Sequence, residues 1–177
     1  HLLMSEVQKY LDEFRRNIIS EAKRNLRKQK SSGDLSKSLK SRVKESPNSI
    51  EITFKMKPYG FFQDRGVKGT ESGKSLSDYK YKKGKENRPS PKHFHKWAMR
   101  KGLKGTRNSK GQFQSITSLK FALATIIQKR GIKPTLFFTK PFEKHYKRLP
   151  SELVKRYKLD IDKLFSQIEK TNLKDKK

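Results

Sequence analysis

The chain has 177 residues, with 45 Lys and Arg against 17 Asp and Glu, and a formal net charge of +28. Only 31% of it is hydrophobic and 35% is charged, against about 45–50% and about 25% in average domains, so its apolar residues must gather in a few elements between solvated segments. Without Cys it has no disulfides, thiolate metal sites or Cys nucleophiles, and no apolar run approaches the roughly 20 residues of a membrane-spanning helix.

His1-Leu2-Leu3-Met4 is too short for a signal peptide and reads as a remnant ahead of a start at Met4, which predicts a soluble chain made inside the cell. Val7, Leu11, Phe14, Ile18, Ala22 and Leu26 recur every three or four residues and predict a long amphipathic helix over 5–30. Tyr10 and Ile19 widen its stripe, Ser5 is its expected cap, and Gly33 follows its basic end. Asp34 is placed to cap a short turn carrying Leu35 and Leu39. Leu39, Ser41 and Val43 then alternate with Lys40, Arg42 and Lys44, as a half-buried strand does. Ser46-Pro47-Asn48-Ser49 is turn chemistry. Ile50, Ile52, Phe54 and Met56 alternate with Glu51, Thr53, Lys55 and Lys57, completing an antiparallel hairpin with one apolar face for the long helix to cover.

Lys57-Pro58-Tyr59-Gly60-Phe61-Phe62-Gln63-Asp64-Arg65-Gly66 ends that strand with three aromatics in four positions and a lone acid. It reads as a corner: Tyr59 and Phe62 packed inward, Asp64 held by backbone and by Lys57, Arg65 or Lys68, and Gly66 in a backbone angle other residues resist. On that reading Gly66→Val harms assembly with neighbours more than folding. Residues 66–90 are expected as a flexible basic loop. Its candidate polyanion or partner contacts are Lys68, Lys74, Lys80, Lys82, Lys83, Lys85 and Arg88, and Tyr79 and Tyr81 interleave with the lysines as a phosphate-and-stacking surface would require. The alternative is a basic loop whose tyrosines pack locally.

A helical pair follows over 91–131. Ser90 and Pro91 open the first helix, with Phe94, Trp97 and Ala98 on its apolar face and Gly102 at its end. After a polar loop over 106–112 comes a helix over 115–130 with Leu119, Ala122, Leu123, Ile126 and Ile127 on one side, stopped by Gly131, Ile132 and Pro134. Leu136, Phe137 and Phe138 form a short β-like run, Pro141 starts a helix with Phe142 and Tyr146, and Ser151 caps a last helix carrying Leu153, Tyr157, Ile161, Leu164, Phe165 and Ile168. The whole predicts an α+β fold: a small antiparallel sheet against a long N-terminal helix and C-terminal helices, within one domain over 1–170 and a charged tail over 171–177.

Catalytic chemistry is hard to assemble from these residues. His93 and His95 stand two apart on a helix, on different faces, where a zinc pair wants i and i+4. His145 is isolated, there is no Gly-rich phosphate loop, and Asp64, Glu71 and Asp78 are the only local group among scattered acids. Glu51 with Lys55 and Lys57 imitates a nuclease strand only weakly. No metal, cofactor or catalytic residue is predicted, and a basic nucleic-acid-binding protein or a metal-dependent nuclease remain as alternatives.

The order of three short motifs resembles the tail-completion, or neck and head–tail joining, proteins of tailed bacteriophages. Gly33, Leu35, Ser38 and Leu39 match a step before the hairpin; Tyr59, Phe62, Asp64 and Gly66 match a Pro-Tyr-small-x-aromatic-x-acid-x-Gly corner; Pro141 and Phe142 match a Pro-Phe opening the last helices. Val67, where a small hydroxyl residue is common, and the Lys-rich insert over 69–88 depart from the pattern. The resemblance implies a non-enzymatic virion protein, a hexameric or dodecameric ring joining the portal or its adaptor to tail proteins around the DNA channel. Because a channel should not grip its cargo, most lysines are expected to face neighbours, acidic partners or DNA at the rim.

Overall fold

The computed structural model describes residues 2–29, 33–46, 49–103 and 106–151. The predicted last helix, with Leu153 to Ile168, and the turn at Pro47-Asn48 lie outside the described residues. The fold is α+β. Its contacts gather into two compact units, one formed by 1–27, 33–61 and 137–177 and the other by 28–32 and 62–136. The second unit therefore takes in more than the helical pair the sequence sets apart.

In the first unit, helix α1 (Leu2–Lys28) begins three residues before Ser5, which lies inside it rather than at its cap. Leu11, Phe14, Ile18, Ala22 and Leu26 are buried as the stripe requires, whereas Tyr10 stands off it and is exposed. Gly33, at φ +59, turns the chain into the one-turn helix α2 (Asp34–Ser38); Gly33 holds the cap position expected of Asp34, which is the first helical residue. Strands β1 (Lys40–Ser46) and β2 (Ser49–Lys55) pair antiparallel with Ser41 opposite Phe54 and Val43 opposite Ile52. Ile52 and Phe54 are buried while Glu51 and Lys55 face solvent, so strand periodicity sorts the two faces. Helix α6 (Thr139–Tyr146) completes the core with Phe142. Phe137 and Phe138, expected as a β-like run, instead form a turn into α6 and are fully buried. Phe142 meets Phe14, Phe54, Phe138 and Tyr146 at ring-centroid distances of 5.8, 6.0, 6.0 and 6.1 Å.

The predicted corner is a helix, α3 (Tyr59–Arg65), whose last four residues belong to the second unit. Pro58 cannot extend the β ladder, and its preset φ suits a helix entry; the N–H of Gly60 bonds the Lys57 carbonyl and that of Phe61 bonds the Pro58 carbonyl. Helical rather than strand periodicity then decides which aromatics are buried. Gly60, Phe61 and Asp64 turn inward, and Tyr59 remains 43% exposed. Packing Tyr59 inward, as expected, would need a different period.

In the second unit, strand β3 (Val67–Lys68) pairs antiparallel with β6 (Gly131–Ile132), so the residues expected to stop a helix also make a two-residue ladder. Helix α4 (Lys92–Arg100) begins just after Pro91 and ends as predicted at Gly102. There the Gly102 N–H bonds the Met99 carbonyl and the Leu103 N–H bonds the Ala98 carbonyl, the paired closure of a Schellman ending. The predicted polar loop is a hairpin of β4 (Thr106–Arg107) and β5 (Phe113–Gln114), closed by the Asn108 Oδ1, which accepts from the N–H groups of Lys110 and Gln112. Helix α5 (Ile116–Arg130) is capped by Ser115, whose side chain accepts the Ser118 N–H. Its buried face is Ala124 and Gln128, with Leu119, Leu123 and Ile127 half-buried; Ala122 and Ile126, expected inward, are exposed. Because apolar and polar residues are both spread around this helix, its composition does not single out an inner face.

Candidate assembly joint and basic strap

Two of the three sequence motifs meet in the first unit. The Ser38 hydroxyl donates to the Leu35 carbonyl at 2.8 Å and accepts the N–H of Lys57 at 3.1 Å, which ties the end of α2 to the chain entering α3. Gly60 lies against the same helix: a Cβ there would stand 2.7 Å from the Leu35 Cδ1 and 2.8 Å from the Met56 sulfur. Leu35 and Leu39 are buried. The third motif, Pro141 and Phe142, is buried in the same unit at the aromatic cluster. Tyr59 belongs to this unit, whereas Phe62, Asp64 and Gly66 belong to the other.

The corner residues of the second unit close the end of α3. A seven-residue helix leaves its last carbonyls without intrahelical partners, and here each finds a donor. Phe62 accepts from the Gly66 N–H, Gln63 from the N–H and hydroxyl of Thr135, Asp64 from the Leu136 N–H, and Arg65 from the Leu76 N–H and the Ser75 hydroxyl. Asp64 is only 4% exposed. Of the cations expected around it, Arg65 donates to the Leu76 carbonyl at 3.1 Å and Lys68 lies 3.9 Å from Asp78. Gly66 has φ +81, and a Cβ on it would run into the Ile132 carbonyl oxygen and lie 2.9 Å from the Pro134 nitrogen. Its own carbonyl accepts the hydroxyl of the buried Ser77 at 2.6 Å.

The Lys-rich segment carries little regular structure, but it is bonded down along its length. Lys68 brackets it, donating its N–H to the Tyr79 carbonyl and accepting the Tyr81 N–H, both through the backbone. Gln128, on the inner face of α5 and 5% exposed, donates to the carbonyls of Lys82 and Gly84 at 2.8 and 2.7 Å and accepts from the Arg88 Nε at 3.2 Å. The same turn of α5 is capped by the segment's start: Thr70 and Glu71 donate their N–H groups to the carbonyls of Gln128 and Lys129.

This anchoring settles the tyrosines. Phe62 and Tyr79 meet edge-to-face at 4.9 Å, and burial pushes the Tyr81 hydroxyl above the ordinary phenol range. Both tyrosines are half-buried, closer to local packing than to a fully exposed stacking platform. Lys80, Lys82, Lys83, Lys85 and Arg88 are exposed, as is Lys74, and Lys68 is half-buried.

Other candidate residues do not converge. His93 and His95 are both exposed on α4. The Glu51 carboxylate accepts the Thr53 hydroxyl on the solvent face of β2, Glu71 pairs with Lys129 at 3.1 Å, and Asp78 is fully exposed. Among the described residues, no group of three or more His, Asp or Glu side chains is arranged to hold a metal ion. His145 is placed by packing: its Nε2 bonds Glu21 at 3.0 Å, alongside Lys144 at 3.1 Å, joining α6 to α1. Sequence reasoning missed that cluster and also Gln128; the one signal for Gln128 is a lone amide four residues after Ala124 on an apolar helix. No described helix is long and apolar enough to cross a membrane.

No family model, curated protein or solved structure matches the chain.

Proposed function

We propose that this chain is a structural subunit of a bacteriophage neck, a ring of six or twelve copies joining the head, through portal or adaptor, to the tail around the DNA channel. It is made in the bacterial cytoplasm and ends in the virion, and it works by contact rather than catalysis. The observation that carries the reading is the joint in which Ser38 and Leu35 meet Lys57 and Gly60. The small residue of the corner motif, Gly60, leaves room for Leu35 of the first motif, and the Ser38 hydroxyl holds the N–H of Lys57, the residue just before the corner, which is the fit expected of one structural device. Tyr59, exposed beside that joint, is the aromatic a neighbouring subunit would cover, since interfaces favour Tyr over Lys or Glu. The test is electron microscopy and native mass measurement of the purified protein, alone and mixed with tail-less phage heads. Closed rings that bind heads are expected. A strictly monomeric protein that also fails to join heads to tails in assembly overturns the proposal.

A further inference from the structure

The exposed cations of 80–88 are not scattered along a free loop. Tyr79 and Tyr81 are half-buried on either side of Lys80, Tyr79 edge-to-face with Phe62, and the Gln128 amide pins the backbone at Lys82 and Gly84. Between these anchors Lys80, Lys82, Lys83, Lys85 and Arg88 all reach solvent. One acid interrupts them, and the Glu86 carboxylate is engaged by the Asn87 amide at 2.9 Å. Five cations within nine residues are thus presented by a backbone that is already ordered, which lowers the entropy lost when an extended anion binds.

From this geometry we infer that the 80–88 strap binds the phosphate backbone of duplex DNA, without reading its bases. Two observations select nucleic acid over an acidic protein. The exposed side chains of the strap are Lys, Arg, Glu and Asn with no apolar anchor, whereas protein interfaces are depleted in Lys and Glu at their core and enriched in aromatics and Met. Phosphates, by contrast, are contacted chiefly by Lys and Arg. The mode follows from the tyrosines: Tyr79 is held edge-to-face by Phe62 and both tyrosines are half-buried, so the strap lacks the fully exposed aromatic platforms on which unpaired bases stack. Binding is therefore electrostatic, indifferent to sequence and no stronger for single strands. The inference stands independently of the ring assignment.

The experiment is fluorescence anisotropy of the full chain with labelled duplexes of two unrelated sequences, titrated from 50 to 200 mM salt. A strap variant (Lys82, Lys83 and Lys85→Gln) is compared with a variant of equal charge in the hairpin unit (Lys44, Lys55 and Lys57→Gln), both checked for unchanged melting. The slope of log affinity against log salt should flatten by about 0.9 per strap lysine removed, equally on both sequences, while the hairpin variant stays near wild type. Acetylation footprinting of the unmutated protein gives an independent reading, with DNA protecting Lys80 to Lys85. Equal flattening in the two variants would assign binding to diffuse net charge and overturn the inference, as would tighter binding to single strands. Displacement by polyglutamate as effective as by DNA at matched charge would overturn it in favour of an acidic protein partner.

Discussion

Gly66 shows how one residue can hold two segments in register. Its φ of +81 lies where a side chain is strained, and the space a Cβ would need is taken by the backbone of Ile132 and Pro134. Backbone atoms cannot rotate away as a flexible side chain can. Gly66→Val is therefore expected to destabilise the second unit by at least about 1–3 kcal/mol, the range for a strained backbone position, as read from chemical denaturation. The sequence alone placed this substitution at assembly rather than folding; the backbone of Ile132 and Pro134 around Gly66 adds a direct cost to folding. A variant that folds with wild-type stability but fails to assemble would restore the first view. Tyr59 makes the opposite case, since its aromatic ring reads as core in sequence and is exposed in the fold.

Among the elements, α1 and α6 are joined by apolar packing and by one polar cluster. The carboxylate of Glu21 accepts from Lys144 through both oxygens, and from His145. The Lys144 hydrogen bond holds the Glu21 pKa below its ordinary value against the opposing effect of burial, and His145 adds to the lowering. A depressed carboxylate pKa contributes stability that is present above the unfolded-state pKa, about 4.3 for Glu, and is lost as pH falls through the folded value. Glu21→Gln should therefore melt below wild type at pH 7, and the gap should close as the pH is lowered below the unfolded-state pKa and through the depressed folded value. Thermal melts over an acid pH series check it; a gap that does not close at any acid pH would mean the cluster contributes through shape alone. The same scale explains α3 and α5, which end where they do because distant segments supply donors for their final carbonyls. Residues 66–77 are ordered by that duty, although nothing in their composition announces it.

For the whole molecule, charge sets the terms. With +28 on 177 residues, like charges repel across the folded surface, and added salt screens them over a Debye length of about 10 Å at 0.1 M. Raising sodium chloride from 50 to 500 mM should raise the melting temperature by about 2–4 °C, the response to roughly 1 kcal/mol in a chain of this size. A fall would show that attractive pairs such as Lys144–Glu21 and Lys129–Glu71 outweigh the repulsion. The same salt weakens any grip on DNA, so stability and binding are expected to move in opposite directions.

The sequence by itself determined the elements whose faces are marked by period. The stripe from Leu11 to Leu26, the alternation from Ile50 to Phe54 and the Gly102 ending were legible because each depends on residues within a few positions of one another. What only the tertiary structure decided depends on partners far along the chain. Corner or helix at Tyr59, the inner face of α5, the half-burial of Tyr81 and the role of Gln128 all turn on segments distant in sequence. An apolar helix carries no label for its inner face, and an aromatic beside a lysine can stack on a ligand or pack at home. In this protein Gln128 and the short β3–β6 ladder settle those choices, converting a run of lysines from an apparent loop into a fixed strap.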